Sequence, residues 1–269
     1  MMYRCIICKK FDVVEQLKAI TSDEKISICD YADTDYAADF WNGSIDRTYE
    51  DLTERALLQR LLPESGESII DIGAGFGRLT TEYKDKFKRC VLLDYADNLL
   101  KQAREKYKLD NNIEYIKASC YEIPLDDNSF DFAVSFRLLH HIQDVDKYFN
   151  EVYRVIKPGG RFILEVANKK NILEILRYFS GKSDKQPFSL SPYCYGENVY
   201  YNFHPNYVKL KARKTGFQVV GKYSISNFRF NIMKKTFNPR ILAALDKLLG
   251  RSLGSLDFGP SIIFNLIKK

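Results

Sequence analysis

The sequence predicts an α/β fold built on a mostly parallel β-sheet with helices on both faces. Short apolar segments alternate with longer amphipathic segments from about residue 46 onward. The connections between them are short, as in parallel sheets joined by helical crossovers. A glycine-rich turn over residues 73–77 follows the first apolar segment, at the place where such sheets bind nucleotides.

Seven segments are predicted strands, because each is a short apolar run bounded by turn or helix signals. They are Ser68–Ile72, Cys90–Asp94, Ile113–Lys117, Phe130–Phe136, Arg161–Val166, Phe217–Ile225 and Pro260–Ile267. Apolar residues at helical spacing predict helices from Asp46 to Pro63, from the glycine turn to about Phe87, over Ala96–Tyr107, over Asp144–Ile156 and from Pro205 to about Thr215. The basic segment 229–250 is predicted to be an amphipathic helical region.

Composition and charge exclude several classes of protein. Of the 269 residues, 45% are hydrophobic and 28% charged, as in an ordinary globular chain. No apolar run approaches the roughly 18–20 residues that span a bilayer, and the first residues do not resemble a signal peptide, so a cytoplasmic location is expected.

Residues 1–166 carry 23 Lys and Arg against 30 Asp and Glu, whereas residues 167–269 carry 18 against five. A solvated basic face or an anionic partner would account for this asymmetry.

Two of the six cysteines, Cys5 and Cys8, form a single C-x-x-C. A structural zinc site needs four ligands, usually from two such pairs, and only Cys29 follows nearby. The leader therefore looks like a degenerate half of a zinc ribbon, and no bound metal is predicted.

The spacing of the glycine turn indicates the type of nucleotide. A dinucleotide-binding turn reads G-x-G-x-x-G, but the sixth position counted from Gly73 is Arg78. Asp71 would repel a pyrophosphate and suits a ligand with positive charge and N–H donors, such as S-adenosylmethionine (SAM). Asp94 ends the second strand, where a carboxylate can accept both ribose hydroxyls. The pattern favours a nucleoside cofactor.

Four consecutive segments resemble the motifs of class I SAM-dependent methyltransferases, and most of all the ubiquinone/menaquinone-biosynthesis branch. They are IIDIGAGFGRLT, LLDYA, ASCYEIPLDDNSFDFAVSFRLLHHI and YRVIKPGGRFIL, and the match covers about residues 48–166. The resemblance implies a Rossmann-like fold with seven strands, the last of them antiparallel. It also implies methyl transfer from SAM to a small-molecule acceptor.

The same resemblance implies roles for residues around the cofactor. Asp71 and the first glycines would line the methionine part of SAM, Asp94 would bind the ribose and Tyr95 would lie against the adenine. The family commonly has an Asp after the third strand, whereas this chain has Ser119, which loses the charge-assisted part of a hydrogen bond. The predicted cofactor-binding set is Asp71, Gly73, Ala74, Gly75, Gly77, Asp94, Tyr95, Ser119, Cys120, Phe136 and Arg137.

His140 and His141 follow the fourth strand and are the predicted catalytic candidates, because histidine titrates near neutral pH. Methyl transfer from a sulfonium needs a base only when the nucleophile must lose a proton. Packing or capping of the next helix is the alternative role for this pair. Four further residues are predicted to contact substrate: Tyr36, Trp41, Tyr195 and His204. The alternatives are ordinary packing for Tyr36 and Trp41, packing within a lid or a dimer contact for Tyr195, and capping of the next helix for His204.

The predicted organisation is an N-terminal cap over residues 1–47 and one methyltransferase domain over residues 48–269. Within the domain, an aromatic insertion (167–204) lies on the substrate side, and segment 229–250 covers the pocket. The expected partner is a small acceptor, apolar or anionic, and no specific nucleic acid is expected, since a basic patch alone supports non-specific binding. The alternatives are peripheral contact with an anionic membrane, an rRNA or tRNA substrate, and a non-catalytic SAM-binding role. The oligomeric state stays open.

Overall fold

The computed structural model describes residues 46–194 and 200–269. Their strands are β1 (Gly66–Ile72), β2 (Phe87–Asp94), β3 (Ile113–Lys117), β4 (Phe130–Ser135), β5 (Ile156–Ala167), β6 (Tyr193–Cys194), β7 (Tyr201–Asn202), β8 (Phe217–Ile225) and β9 (Ser261–Lys268). Their α-helices are α1 (Thr48–Leu61), α2 (Asp97–Lys106), α3 (Val145–Val155), α4 (Ile172–Phe179), α5 (Pro205–Thr215), α6 (Asn231–Thr236) and α7 (Pro239–Ser255). Six residues singled out in the sequence lie outside the described residues, as does the predicted N-terminal cap up to residue 45: Cys5, Cys8, Cys29, Tyr36, Trp41 and Tyr195.

Seven of these strands form one sheet in the order β3-β2-β1-β4-β5-β9-β8. Neighbouring strands pair in parallel except at β9, which runs antiparallel to both β5 and β8. The predicted seven-stranded sheet with an antiparallel last strand is therefore confirmed. From β1 the chain first builds outward through β2 and β3 and then returns to add β4 on the other side. Such a switch point leaves a crevice beyond the carboxyl ends of the strands, where open α/β sheets bind ligands.

Helices cover both faces of the sheet because its inner strands are apolar on both faces. In β1, Ile69 and Ile70 are both fully buried but belong to different hydrophobic clusters, since successive side chains of a strand point to opposite faces. One cluster includes residues of α3 and α5, and the other includes residues of α1 and α2. At the end of the sheet, glycines bring α7 close to β8: a Cβ at Gly254 would lie 2.7 Å from the carbonyl oxygen of Lys222.

The glycine turn is not followed by an α-helix, so that prediction was wrong. A short 3-10 helix (Thr80–Glu82) lies between turns, and β2 begins at the residue expected to end the helix. Two consecutive β-branched threonines open this segment and disfavour an α-helix. The hydroxyl of Tyr83 donates a hydrogen bond of 2.7 Å to the buried carboxylate of Asp71. Short-range backbone hydrogen bonds of a 3-10 helix and of turns, such as that from the N–H of Tyr83 to the carbonyl oxygen of Thr80 at 3.2 Å, hold the segment together with this tertiary contact.

The basic segment 229–250 forms two helices, α6 and α7, and the second continues to Ser255. Pro239 separates them, because proline cannot lie inside a helix but suits its first position. The side chain of Asn238 caps α7 by accepting a hydrogen bond from the N–H of Arg240 at 2.9 Å. The aromatic stretch 167–204 contains α4 and the strands β6 and β7, which the sequence did not predict. None of the helices in the described residues is both long and apolar enough to cross a bilayer.

Candidate functional site

The glycine turn leaves β1 through three left-handed residues. Gly73, Gly75 and Gly77 have φ angles of 77°, 55° and 69°, a region that residues with a Cβ rarely adopt. The N–H groups of Gly73 and Ala74 donate to the carbonyl oxygen of Leu93 in β2, at 2.8 and 3.1 Å. The turn is thereby fixed to the neighbouring strand at the switch point of the sheet.

Asp94, the last residue of β2, holds the same turn with its carboxylate. One oxygen accepts a hydrogen bond from the N–H of Gly75 at 2.7 Å, and the other accepts one from the N–H of Ala96 at 2.8 Å. Burial raises the pKa of Asp94, and these backbone hydrogen bonds oppose the rise. A carboxylate has about four lone-pair sites, so Asp94 can still accept hydroxyl groups of a ligand.

Asp71 lies buried near the carboxyl end of β1 and accepts the hydrogen bond from Tyr83. Burial raises the pKa of Asp71 to about 7, against the opposing effects of the Tyr83 hydrogen bond and the Arg78 charge, and the charge of Asp94 adds to the rise. A ligand that brought a positive charge to this carboxyl would favour its ionised form.

These residues border a crevice that encloses about 1090 Å³, including its open mouth. At Gly75 an added Cβ would have no atom nearer than 3.8 Å beyond its chain neighbours, so the turn presents bare backbone there. Eleven of the predicted site residues line the crevice: Asp71, Gly73, Ala74, Gly75, Asp94, Tyr95, Ser119, Cys120, Phe136, Arg137 and His141.

Gly77, also predicted to bind the cofactor, does not line the crevice. Its carbonyl oxygen accepts a hydrogen bond of 2.7 Å from the hydroxyl of Tyr107, and an added Cβ would lie 2.9 Å from the Tyr107 ring. The residue is required for close packing beneath the turn. Ser119, at the position where the family has an acid, accepts a hydrogen bond of 3.2 Å from the N–H of Tyr121 and so shapes the loop after β3.

A buried carboxylate that the sequence analysis missed, Glu54 of α1, balances the charge of the crevice. It accepts hydrogen bonds from both Arg78 and Arg137. Burial favours the neutral acid, but the charges of Arg137 and Arg78 outweigh it and hold the pKa of Glu54 below its ordinary value. Asp51 forms a further ion pair with Arg78. No sequence signal marked Glu54, because a glutamate on an amphipathic helix ordinarily faces water.

A second cavity adjoins the crevice, and Arg137 lines both. Including its opening to solvent, it has a volume of about 1190 Å³, next to the ends of β5 and β8 and the start of β9. Glu165 is buried in its wall and accepts a hydrogen bond of 3.1 Å from the N–H of Arg137. Burial raises the pKa of Glu165, although the Arg137 charge opposes the rise. Apolar side chains complete the wall: Ile172, Leu173, Phe230 and Phe258.

The two adjacent histidines line different cavities. His141 lines the crevice, whereas His140 lines the second cavity. Their ring centroids are 4.1 Å apart, and the ring of Tyr200 lies 4.6 Å from that of His140. Burial, together with the charges of His141 and Arg137, lowers the pKa of His140 well below its ordinary value. His140 is therefore neutral at physiological pH and in the form that accepts a proton.

His204, which was predicted to contact substrate, lines neither of these cavities. It is buried, and its Nδ1 accepts a hydrogen bond of 3.1 Å from the N–H of Asn206, which caps the start of α5. Burial lowers the pKa of His204 to about 4, so the imidazole is neutral and able to accept this hydrogen bond. In the structure His204 therefore has the alternative role named for it in the sequence analysis, capping of the next helix.

A carboxylate of α7 positions one wall of the second cavity. Asp246 accepts hydrogen bonds from the N–H of Ser226 at 2.7 Å, from the side-chain amide of Asn227 at 2.6 Å and from the hydroxyl of Tyr49 at 2.6 Å. Ser226 and Asn227 both line the cavity, and Ser226 has a left-handed φ of 57° that these bonds sustain. Residues of α1, α7 and the end of β8 thus build this wall together.

The residues of the crevice fit SAM better than a dinucleotide. SAM carries an ammonium, a sulfonium and ribose hydroxyls but no phosphate. Asp71 and Asp94 offer carboxylates to such groups, while Glu54 balances the charge of the arginines that would otherwise attract phosphate. In residues 46–194 and 200–269, no three His, Cys, Asp or Glu side chains lie in a cluster that could hold a metal ion.

Known proteins with similar sequences point to the same cofactor. A methyltransferase domain family matches residues 70–164. The ubiquinone/menaquinone biosynthesis C-methyltransferase UbiE of Escherichia coli (strain K12 / DH10B) is 32% identical over 183 residues, which cover 60% of this chain and 70% of UbiE. UbiE of Shigella boydii matches to the same extent.

Solved structures share the fold at lower identity. A chain from the complex between the Haloferax volcanii Trm112 methyltransferase activator and a methyltransferase matches with a TM-score of 0.61 at 18% identity, covering 90% of this chain and 99% of that chain. A SAM-dependent methyltransferase from Mesorhizobium loti matches with 0.57 at 19% identity, covering 82% and 100%. The Haemonchus contortus phosphoethanolamine N-methyltransferase 2, solved with S-adenosylhomocysteine, matches with 0.53 at 21% identity, covering 85% and 52%.

Proposed function

The chain belongs to the class I SAM-dependent methyltransferases, and we propose that it transfers the methyl group of SAM to a small molecule held in the second cavity. The observation that carries this proposal is that Arg137 lines both the crevice and the second cavity. Donor and acceptor would then occupy neighbouring spaces. An in-line displacement gains most of its acceleration from such alignment and from the exclusion of water.

The crevice would hold the cofactor by charge and by close backbone contact. When bound, SAM supplies a methyl group on a positively charged sulfur. We expect Asp71 to pair with its ammonium group and Asp94 to accept its ribose hydroxyls, because hydrogen bonds to a carboxylate are stronger than neutral ones. The bare backbone at Gly75 leaves room for the cofactor to lie against the turn, and Tyr95 would cover the adenine. These residues orient the donor.

His140 would accept the proton of an acceptor that carries a hydroxyl group. It lines the cavity assigned to the acceptor and is neutral there. Its lowered pKa also makes it a weak base in the empty cavity, so the negative charge that develops on the acceptor has to raise this pKa for the proton to transfer. An aromatic hydroxyl that loses its proton becomes a stronger nucleophile, at oxygen or at the neighbouring ring carbon. Glu165, whose pKa is raised, would hold a second polar group of the acceptor.

A quinone-related ring in its reduced form is the acceptor class that we propose. The related Escherichia coli protein is named as a C-methyltransferase of ubiquinone and menaquinone biosynthesis. Apolar side chains of the second cavity suit a ring and its apolar substituents, while His140 and Glu165 suit ring hydroxyls. The mixed lining is thus compatible with a hydroquinone.

Transfer of radiolabelled methyl groups from SAM tests the proposed acceptor. The full chain is offered reduced benzoquinones and naphthoquinones with an unsubstituted ring carbon and, in parallel, tRNA and rRNA. Label in the hydroquinone but not in RNA would support the proposal. Label in RNA alone would replace it with the RNA-methylating alternative. SAM binding by calorimetry with transfer to neither class would instead favour a non-catalytic role.

A substitution at Asp94 tests the cofactor part of the proposal separately. Asp94→Ala should weaken SAM binding at least tenfold, since hydrogen bonds to a charged group contribute about 1.5–3 kcal/mol and the turn also loses its anchor. Asp127→Ala is the matched control, because the Asp127 side chain is 68% exposed and lies outside the crevice lining. Calorimetry that found equal SAM affinity in both variants would contradict the ribose assignment.

A further inference from the structure

The last two helices expose a large apolar surface. Leu248 is 76% exposed, and the other exposed large apolar residues of this region lie in or next to α6 and α7: Ile232, Phe237, Ile241, Leu245, Leu249 and Leu256. Single exposed apolar residues are ordinary on protein surfaces, but a contiguous set marks an interaction site. Together with the exposed basic residues of 229–256, these residues are here named the C-terminal surface.

The geometry of α7 gathers its exposed apolar residues into one stripe. Ile241, Leu245, Leu248 and Leu249 follow the spacing i, i+4, i+7, i+8, which keeps side chains on one face of a helix. The buried residues of α7 lie on another face and pack towards α1 and β8: Leu242, Ala243, Asp246, Gly250 and Gly254. The helix therefore has two apolar faces, and only one of them packs on the described part of the chain.

The exposed charges of the C-terminal surface all have the same sign. Asp246 is the only acid between residues 229 and 256, and it is buried with its hydrogen bonds directed inward. Glu50 of α1 pairs with Lys234 at 3.0 Å and, more distantly, with Arg229 at 3.9 Å, and so offsets part of their charge. Five basic residues of this stretch are exposed: Arg229, Lys235, Arg240, Lys247 and Arg251. A ligand for this surface must accept both positive charge and apolar side chains.

The C-terminal surface begins at the second cavity. Phe230 lines that cavity, and α6 begins at the next residue. The first residues of α4 also line the cavity, while Leu176 and Phe179 of the same helix are exposed, the latter by 73%. Exposed apolar side chains therefore belong to two helices that border the cavity proposed to hold the acceptor.

We propose that the C-terminal surface docks on an anionic lipid bilayer, with α7 lying in the plane of the headgroups. An amphipathic helix binds there when its apolar side chains enter the acyl boundary and its Lys and Arg side chains meet anionic headgroups. A nucleic acid would use the cations but leave the leucines in water, and a second copy would place like charges together. An anionic bilayer accepts both the positive charges and the apolar side chains of the C-terminal surface. The cavity beside this surface would then receive an apolar acceptor from the membrane, a consequence that rests on the proposed function.

Vesicle flotation tests the docking without any methyl acceptor. The full chain should bind vesicles of phosphatidylcholine with about 30 mol% phosphatidylglycerol at least tenfold more tightly than vesicles of phosphatidylcholine alone. Raising the salt to about 0.5 M should weaken this binding, because it screens the charges. Absence of binding, or equal binding to both kinds of vesicle, would overturn the proposal.

Two kinds of variant separate the apolar and the charged contributions. Leu248→Glu and the double change Lys247→Glu/Arg251→Glu should each weaken binding to anionic vesicles about tenfold or more. Leu109→Glu and Lys101→Glu are the matched controls: Leu109 is 88% exposed just before β3, at the opposite edge of the sheet from β8. All four variants should keep the SAM affinity of the parent, which separates this test from the assignment of the cofactor site.

The competing occupant is a second copy of the chain. If light scattering found a dimer that Leu248→Glu dissociated, or if this variant bound vesicles as tightly as Leu109→Glu, the lipid assignment would be wrong. A monomer that binds anionic vesicles through Leu248 and the basic pair would support it.

Discussion

The cofactor crevice and the second cavity are built in different ways. The crevice is formed by short stretches that follow β1, β2, β3 and β4 directly, and the backbone of the glycine turn is one of its walls. The second cavity collects side chains from positions as far apart as Arg137 and Ser261, brought together by β5, α4 and the start of β9. A site made from backbone requires glycine at fixed spacing, whereas a site made from assembled side chains can use many residue types. Only the first leaves a clear signal in a sequence.

The two regions also differ in how their charges are balanced. In the crevice, the buried carboxylate of Glu54 and the partly exposed one of Asp51, both in α1, balance the arginines, so the ligand meets the carboxylates of Asp71 and Asp94. In the second cavity, Arg137, Glu165 and His140 lie around the space itself. Arg137 belongs to both regions: Glu54 accepts a hydrogen bond from its guanidinium and Glu165 accepts one from its backbone N–H. Three substitutions and one pH titration would test this difference between the two regions.

Glu54→Gln should have the largest effect, on the stability of the whole domain. Removing one partner from a buried ion pair costs about 3–5 kcal/mol, and Glu54 is a partner of both Arg137 and Arg78, although Arg78 keeps its pair with Asp51. Urea unfolding measures the loss. Glu114→Gln is the control, because its pair with Arg89 is half exposed, and such pairs contribute about 1 kcal/mol or less. Equal losses in the two variants would show that α1 is not tied to the crevice through Glu54.

Gly75→Val should abolish measurable SAM binding, with a loss of affinity of about a hundredfold or more. The substitution forces a β-branched residue to a φ of 55° and fills space on the crevice side of the turn. Gly181→Val is the control that carries the backbone strain alone. Gly181 has a φ of 70°, but no atom lies within 4 Å of an added Cβ, so this substitution blocks no binding site. Calorimetry should find SAM affinity lost only in the first variant; a similar loss in both would assign the effect to folding.

His140→Gln should lower kcat by about a hundredfold, the lower end of what general-base catalysis contributes, while leaving the SAM affinity unchanged. Glutamine is still polar but does not accept the proton. His204→Gln, which changes the cap of α5, should alter stability by about 1 kcal/mol and leave kcat near that of the parent. If His140→Gln had the same kcat as the parent chain, His140 would not accept a proton during the reaction.

The smallest expected effect is a pH dependence of SAM affinity set by Asp71. Its carboxyl has a pKa of about 7 in the free protein, so below that pH the cofactor's ammonium must displace a proton. Affinity should therefore fall up to about tenfold between pH 7.5 and pH 6 and level off above pH 7.5. Asp71→Asn should bind weakly with little change over this range. If the SAM affinity of the parent chain did not change with pH, Asp71 would not be the partner of the cofactor's ammonium group.

The sequence was most informative about the glycine turn, where the backbone requires glycine, and about the strands, which are short apolar runs. It identified the strands of the main sheet and the residues after β1, β2 and β4 that now line the crevice. It was wrong about the helix after the glycine turn, where two consecutive β-branched threonines disfavour an α-helix and the chain forms only a short 3-10 helix. It placed Gly77 at the cofactor, whereas that glycine packs against Tyr107.

What the sequence determined by itself is the sheet and the turn that opens its crevice, because alternation of apolar runs and glycine spacing are local properties of a chain. What only the tertiary structure decided is the partner of each buried charge and the wall of the second cavity. Glu54 and Asp246 are ordinary acids on helices until packing brings Arg137 beside one and Tyr49 beside the other. Burial makes such partners necessary, since a carboxylate in a low-dielectric interior needs a cation, as Glu54 has, or several hydrogen-bond donors, as Asp246 has.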